Sequence, residues 1–486
     1  MTCVESDWQS EARRCGVVLR EVFGWLGGRD LAMAGAACRT WRHAAADPLL
    51  WRHLVQRELA PAPLPGLQRL LRDSEVISWR QEYVTAVAGW TLTSRQVAAG
   101  GAALQHAVLA PAHDVLALAA DDASLALWRR SGDAWHEQWR TELRPRGWAG
   151  VARVQWASRA PRLLLAGPRL LIDDWELMVL QLDDSCCGAT IASRVRCSPG
   201  AAGCWADADG DSFLSLELQL LAPGLAWTTV RSNSATQETQ SEYAGVTAPL
   251  LRIFNEDSAH ITHVLVAGGG AADERRVLVA ASARGLGAWP VRESRPPPLL
   301  AGAPGELAAR VRLLRERRAA PEERAPEPDE ASVRAACTAP ARRCRLRARV
   351  AGLALDDSGR WLWAACSDGA VWCVCAASLE TLLVLPAPLT PAPTQLHYVQ
   401  PAVSDRFVAS PAGAFSPRVV TWSRASGAAA AAGGARGDAP AVCALLPRGD
   451  VTHPAPRTAL LVLAADTLYV WHSRAPAQSS ALWTSH

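Results

Sequence analysis

Four cysteines close together in the chain, Cys186, Cys187, Cys197 and Cys204, are the first residues to weigh for chemistry. A structural zinc site takes paired thiolate or imidazole ligands a few residues apart. No CxxC pair occurs here and no histidine falls among the four, so they read as reduced core or strand cysteines. Asp207, Asp209 and Asp211 alternate as in a calcium loop, but the other oxygen ligands of such a loop are missing. A plain polar turn is the simpler reading. Gly268-Gly269-Gly270 is not followed by helix signals, which excludes a phosphate-cradling loop. The Asp, Ser and His residues of the later segments suit hydrogen bonding between strands better than a nucleophilic triad. No catalytic, cofactor-binding or metal-binding constellation emerges, and the chain is expected to be no enzyme.

One compositional feature does bear on chemistry. All 50 basic residues are arginine and lysine does not occur. Codon bias accounts for the substitution, given the many Ala, Gly and Pro residues. Its chemical effect is separate from its cause: the chain has no side-chain amine, and a guanidinium is no nucleophile at neutral pH.

The bulk numbers describe a soluble globular protein. Hydrophobic residues make up 49% and charged residues 20% of 486 residues, room for one large or two to three ordinary domains. A net charge of +3 gives no case for nucleic acid. The longest apolar runs are cut by Asp, Glu, Arg or Pro before a membrane span is reached. Thirteen cysteines lack a repeated pair spacing, and no secretory signal or lipidation motif opens the sequence. A reducing compartment is expected, cytoplasmic and by extension nuclear. Tryptophan, at 21 residues, is the main aromatic packing residue.

The most organised stretch is Val17 to Leu59. Leu19, Val22, Phe23 and Leu26 fall at helical spacing on one apolar stripe. Gly27 and Gly28 stop that helix, and Asp30 is expected to cap a second one carrying Leu31, Ala34, Ala37, Cys38 and Trp41. Asp47-Pro48 starts a third, with Leu50, Trp51 and Leu54 on one side. Three short helices in about forty residues cannot bury that surface alone. They call for a partner.

This pattern resembles the F-box, carried by Leu19, Val22-Phe23, Leu26, Asp30-Leu31, Cys38-Arg39-Thr40-Trp41, Asp47 and Leu50-Trp51. It departs from the family at Arg14-Cys15, where Leu-Pro is usual, and at Gly28, where proline stands between the first two helices. The resemblance implies docking onto the Skp adaptor of a cullin-RING ubiquitin ligase. The implied contact residues are Leu19, Val22, Phe23, Leu26, Leu31, Cys38, Trp41, Leu50 and Trp51.

After a proline-broken connector the periodicity becomes that of short strands. Seven units recur from Val87 onward, each an apolar strand, a loop, a second strand, a tight turn and a strand often ending near Trp. The clearest is Val350–Leu355, Trp361–Cys366, a Ser367-Asp368-Gly369 turn, and Ala370–Cys375 with Trp372. These units resemble WD repeats, although most Gly-His and Trp-Asp dipeptides are missing. The expected fold is a small all-α F-box domain followed by an all-β seven-bladed WD-repeat propeller. Val87–Thr93 is placed to lend the closing strand to the last blade.

The expected organisation is a tail at 1–15, the F-box at 16–59, a helical connector at 60–86 and blades one to four with the closing strand at 87–292. A mostly disordered insertion at 293–348, blades five to seven at 349–474 and a tail at 475–486 complete it. Within the insertion, Glu306–Arg318 reads either as a docking helix for an acidic partner or as a solvated, transient helix. The Ala428–Gly434 tract reads as a low-complexity loop.

Together the two modules resemble the F-box/WD-repeat family, and the phrases Ser78-Trp79, Leu143-Arg144-Pro145, Gly203-Cys204-Trp205 and Phe407-Val408-Ala409-Ser410 recur in one subgroup of it. The chain reads as a shortened, diverged member. What the resemblance implies is a non-catalytic substrate receptor: the F-box holds the Skp adaptor and, through it, a cullin-RING ligase, while the propeller face holds a protein substrate. The alternative is a propeller scaffold with no ubiquitin role. Some members reach a second ligase through the damaged-DNA-binding adaptor by a W-D-x-R motif. Here Trp422-Ser423-Arg424 and Trp471-His472-Ser473-Arg474 lack the aspartate, which argues against that second attachment.

Overall fold

The computed structural model describes residues 16–59, 78–98, 101–112, 114–132, 134–171, 174–236, 246–256, 260–268, 276–282, 285–291, 329–356, 358–386, 401–404, 406–411, 419–424, 426–432, 441–446, 459–464 and 466–473. Helices come first. They are α1 (16–23), α2 (Gly28–Ala37), α3 (Arg39–Ala45), α4 (Pro48–Leu54), which continues as a wider turn over Val55–Leu59, and α5 (Trp79–Ala88). The second helix expected from the sequence is two. Gly27, with no capping side chain, precedes α2, and Asp30 lies inside it. The extended Cys38 breaks the run, its Sγ accepting from the Trp41 N–H at 3.5 Å to cap α3. Asp47 caps α4 as its position before Pro48 suggests, accepting from the Leu49 N–H at 2.9 Å.

Seven four-stranded antiparallel sheets follow, the repeat of a seven-bladed β-propeller. Blade one is Leu104–Leu109, Val115–Ala120, Ser124–Ser131 and Ala134–Glu142; blade two is Arg153–Trp156, Arg162–Pro168, Trp175–Leu182 and Ala189–Cys197. Blade three runs Cys204–Trp205, Ser212–Ala222, Leu225–Ser234 and Val246–Phe254, and blade four His263–Ala267, Val277–Ser282, Gly285–Pro290 and Arg342–Arg345. Blade five is Val350–Leu355, Trp361–Cys366, Val371–Cys375 and Thr381–Leu385. Blade six is Ala402–Val403, Phe407–Pro411, Val419–Ser423 and Ala429–Ala432. Blade seven takes Ala441–Leu446, Ala459–Ala464 and Thr467–Ser473, and its outer strand is Trp90–Val97.

That outer strand begins later than Val87 because α5 runs through Ala88 and Gly89, at φ 64°, ends it. It then pairs antiparallel with the last strand, from Trp90 opposite Ser473 to Val97 opposite Thr467. The hairpin turns carry the expected chemistry: Asp368 accepts from the Ala370 N–H at 3.0 Å, beside Gly369 at φ 81°.

Two expectations need correction. The four strands per blade are those that the WD-repeat resemblance implies, one more than the apolar pattern itself marks. The fourth is the outermost, with too little burial to alternate cleanly; in Arg342–Arg345 only Cys344 is buried. The alanine tract read as a loop supplies the outer strand Ala429–Ala432. The stretch 293–348 is not uniformly an insertion. Its end forms α6 (Glu330–Ala335) and the fourth strand of blade four. Val333 is 2% exposed, Arg334 lies over the Phe254 ring at 4.2 Å, and the Trp289 indole N–H donates to the Thr338 carbonyl at 2.9 Å. The Glu306–Arg318 helix lies outside the described residues, as do the two tails.

Two compact units are described each on its own. In the unit from Ala102 to Trp361, one core joins Leu164, Leu177, Val195, Phe213, Leu216, Val230 and Leu278, and a second surrounds Leu125, Leu127, Trp148 and Leu165. Glu176 is fully buried there. It accepts from the Trp148 indole at 2.8 Å and from two Arg194 nitrogens at 2.5 and 2.9 Å. In the other unit, Trp90, Phe407, Val419, Leu460 and Tyr469 pack together, while the helices form their own core.

Candidate functional site

Phe23, Leu31, Ala45, Leu50, Trp51, Leu54 and Val55 close the core of the helical module, joined by Tyr83 of α5. The Trp51 indole donates to the Ala45 carbonyl at 2.7 Å, so this large ring is fixed without an orphaned donor. Arg57 reaches back to α1, donating to the Gly24 and Leu26 carbonyls at 3.0 and 2.9 Å. Those carbonyls follow the end of a helix, where a cation is favoured.

This placement divides the nine expected contact residues. Phe23, Leu31, Leu50 and Trp51 are 2%, 0%, 9% and 2% exposed and hold the module together. Leu19 and Leu26 are half-buried against them, and Cys38 spends its sulfur on the α3 cap. Only Val22 and Trp41 present apolar surface outward, and Trp41 also packs edge-on against Phe23 at 5.5 Å. The most buried members of the stripe are thus engaged within the module itself. A stripe at helical spacing marks the inside of a small bundle first.

Further exposed apolar surface comes from residues off the stripe. Val17, Val18, Trp25, Met33 and Leu49 are exposed, Trp25 by 86%. Their signal in the sequence is that they are apolar at positions the stripe would leave polar. Burying an indole of this exposure at about 25 cal/mol per Å² contributes about 4 kcal/mol, enough to anchor an interface.

α5 joins this module to blade six. On one side Tyr83 stacks near Trp51 with ring centres 5.6 Å apart and donates to the Glu58 carboxylate at 2.5 Å. Burial, then the hydrogen bond and charge of Glu58, push the Tyr83 hydroxyl up to about 12. Burial also opposes ionisation of Glu58, but the hydrogen bonds from Tyr83 and Arg57 outweigh it and hold the carboxyl below its usual value. On the other side Glu82, 7% exposed, accepts from the hydroxyls of Ser423 and Ser426 at 2.5 and 3.3 Å, with Arg406 at 3.9 Å. Ala428 of the same blade packs into the helical core. The connector is thus a strut with one side chain committed to each neighbour.

The same ring explains Gly28. A Cβ there would stand 2.1 Å from Tyr83 Cε1. The residue that departs from the F-box pattern has its space filled by the tyrosine.

The second-adaptor residues are built into the propeller. Trp422 is 1% exposed. Arg424 donates to the Ser404 carbonyl at 2.7 Å and lies over the Trp363 ring at 5.8 Å. Trp471 packs half-buried against the core of blades six and seven, and Arg474 lies outside the described residues. Trp422 and Arg424 are thus engaged within the propeller.

The cysteine cluster is likewise dispersed. Cys197 and Cys204 are buried in strands, whereas Cys186 and Cys187 sit in a turn ordered by Asp183. Burial raises the Cys204 thiol to about 12. Asp207 spends its carboxylate on its own turn, accepting from the Asp211 and Ser212 N–H groups at 3.0 and 2.9 Å.

Comparison with known proteins follows the same division. The F-box-like family model matches residues 17–57. The chain is similar to F-box/WD repeat-containing protein 5 of Rattus norvegicus and of Homo sapiens, 25% identical to each over 259 residues. Those matches cover 51% of this chain and 42% of each relative. The Mus musculus protein of the same name is 24% identical over 274 residues, 54% of this chain and 44% of its own length. The match thus spans less than half the length of these curated relatives.

Proposed function

We propose that this chain, an F-box-like module joined to a seven-bladed propeller in the manner of a diverged F-box/WD-repeat protein, is the substrate receptor of a cullin-RING ubiquitin ligase. The observation that carries the reading is the helical module. Its core is complete without Val17, Val18, Val22, Trp25, Met33, Trp41 and Leu49, and that apolar surface faces outward. A Skp-type adaptor is the partner. The propeller loops hold a protein substrate, since loops on a rigid frame are free to vary in shape and charge.

The receptor performs no bond chemistry of its own. It holds a client lysine near the charged enzyme and so turns a bimolecular encounter into a local one. The strut matters to that role. α5 is committed to Trp51 and Glu58 on one side and to Ser423 and Ser426 on the other, so the module keeps a fixed attachment to blade six. We place the receptor in a reducing compartment, cytoplasmic or nuclear.

The test replaces exposed residues and spares the core. Trp25→Asp with Leu49→Asp is expected to lower adaptor co-purification at least a hundredfold, because each buried, unpaired carboxylate costs roughly 2 kcal/mol or more. The melting temperature should stay within a few degrees. Phe23→Asp is the contrasting variant: it should lose adaptor by unfolding the module. Full adaptor recovery by the Trp25/Leu49 variant would leave the chain a propeller scaffold without this attachment.

A further inference from the structure

Arginine does two different jobs in this structure, and only one of them needs a guanidinium. Arg57 spans two backbone carbonyls and the Glu58 carboxylate at once. Arg162 donates to the Gln181 side chain, the Gly210 carbonyl and Asp211, at 2.7, 2.8 and 2.7 Å. Arg194 takes both oxygens of buried Glu176, and Arg424 combines a carbonyl with the face of Trp363. A planar fork makes these contacts and a point charge does not. At other places the cation has no such demand on it. Arg159 faces Asp209 across 3.5 Å with both side chains more than half exposed, and Arg39 and Arg144 are exposed. An ammonium would serve equally well at those places. Among the described residues, therefore, the fold calls for arginine at some sites, and at Arg39, Arg144 and Arg159 it does not.

For a ubiquitin receptor that surface has a direct chemical meaning. In the transfer step an uncharged amine attacks the thioester carbonyl of the charged enzyme. The C–S bond breaks, an isopeptide C–N bond forms, and the amine proton leaves as the enzyme thiol is regenerated. Lysine supplies that amine once deprotonated. Arginine stays protonated and delocalised, so it does not.

We infer that these 486 residues, in a receptor, offer no acceptor for lysine-directed ubiquitination within its own ligase, their modifiable side chains being confined to hydroxyls and thiols. Transfer to a serine, threonine or cysteine gives an ester or thioester that alkali or a thiol reverses. The receptor then discriminates by chemistry between itself and its client: both are held near the charged enzyme, but only the client offers an ε-amine. This inference rests on the receptor reading above.

The experiment separates the two. Adaptor capture by the free chain scores the receptor reading. In a second preparation the chain is fused through its first residue to the carboxyl terminus of the adaptor. The fusion places it in a reconstituted ligase whether or not docking occurs, and it converts the α-amine to an amide. The fused chain is compared with a version carrying Arg39→Lys, Arg144→Lys and Arg159→Lys, chosen to lie outside the guanidinium forks. After reaction, alkali and reductant treatment, ubiquitin remnants on this chain are measured by mass spectrometry. The lysine-bearing version should carry at least tenfold more stable ubiquitin than the lysine-free one. Abundant alkali-stable ubiquitin on the lysine-free chain would overturn the inference. So would equal, low modification of both versions, because the absent lysines would then not be what protects it.

Discussion

A single buried carboxylate shows how position decides the worth of a charge. Glu176 has no exposure, and its oxygens are taken by Arg194 and the Trp148 indole. Removing the carboxylate leaves a largely buried guanidinium and an indole donor without their acceptor. Glu176→Ala is expected to cost about 3 kcal/mol or more, read from denaturant unfolding. Asp209→Ala removes the partner of exposed Arg159 and should change the same curve by almost nothing. Equal losses in the two variants would mean that burial does not set the scale here. Neither pair was legible in the sequence. Trp148 and Arg194 lie 28 and 18 residues from Glu176, and only the register of blade two and the preceding loop brings them together. Asp47 before Pro48 was legible, because a helix cap is written in adjacent residues.

Among the elements, α5 carries the clearest dependence on pH. The Tyr83 hydroxyl is raised from its usual 10.0 to about 12 by burial and by Glu58. A raised acid favours its protonated form in the folded state. Its contribution to stability is therefore complete below about pH 10 and is lost as pH climbs through about 12. Tyr83→Phe removes the titrating group, and the helical module should lose that alkaline limb while being less stable at neutral pH, where the bond to Glu58 is gone. Module unfolding followed by Trp fluorescence between pH 9 and 12.5 (roughly the span set by these values) checks this; an unchanged alkaline limb in the variant would place its origin elsewhere. The sequence showed that a short helix existed near Ser78–Tyr83. It gave no sign that Tyr83 fills the space above Gly28, since a glycine standing for a proline is visible in sequence and the ring that packs on it is not. Most inner strands were legible from apolar runs, and the outer strand of blade seven was expected from Val87–Thr93. The other outer strands were not: Arg342–Arg345, with only Cys344 buried, reads as a charged linker.

At the scale of the molecule, the outer strand of blade seven follows α5 directly, so the helical module, strut and final blade meet in one continuous segment. Thr93 donates its hydroxyl to the Val470 carbonyl 377 residues away, and the Trp90 indole reaches Thr421 at 2.7 Å. The first strand among the described residues thus waits for the last. A chain ended at Asp466 has no Thr467–Ser473, and Trp90–Val97 is left as an open edge with unpaired backbone groups. Such chains should aggregate at micromolar concentration and lose hydrogen-exchange protection over 90–97; retained protection would mean that the strand finds another partner. The topology thereby acts as a completeness check. The strand that follows the strut gains its full pairing only when translation has passed the final blade, so a prematurely ended chain exposes the fault at Trp90–Val97, far from the break, where cellular quality control can find it.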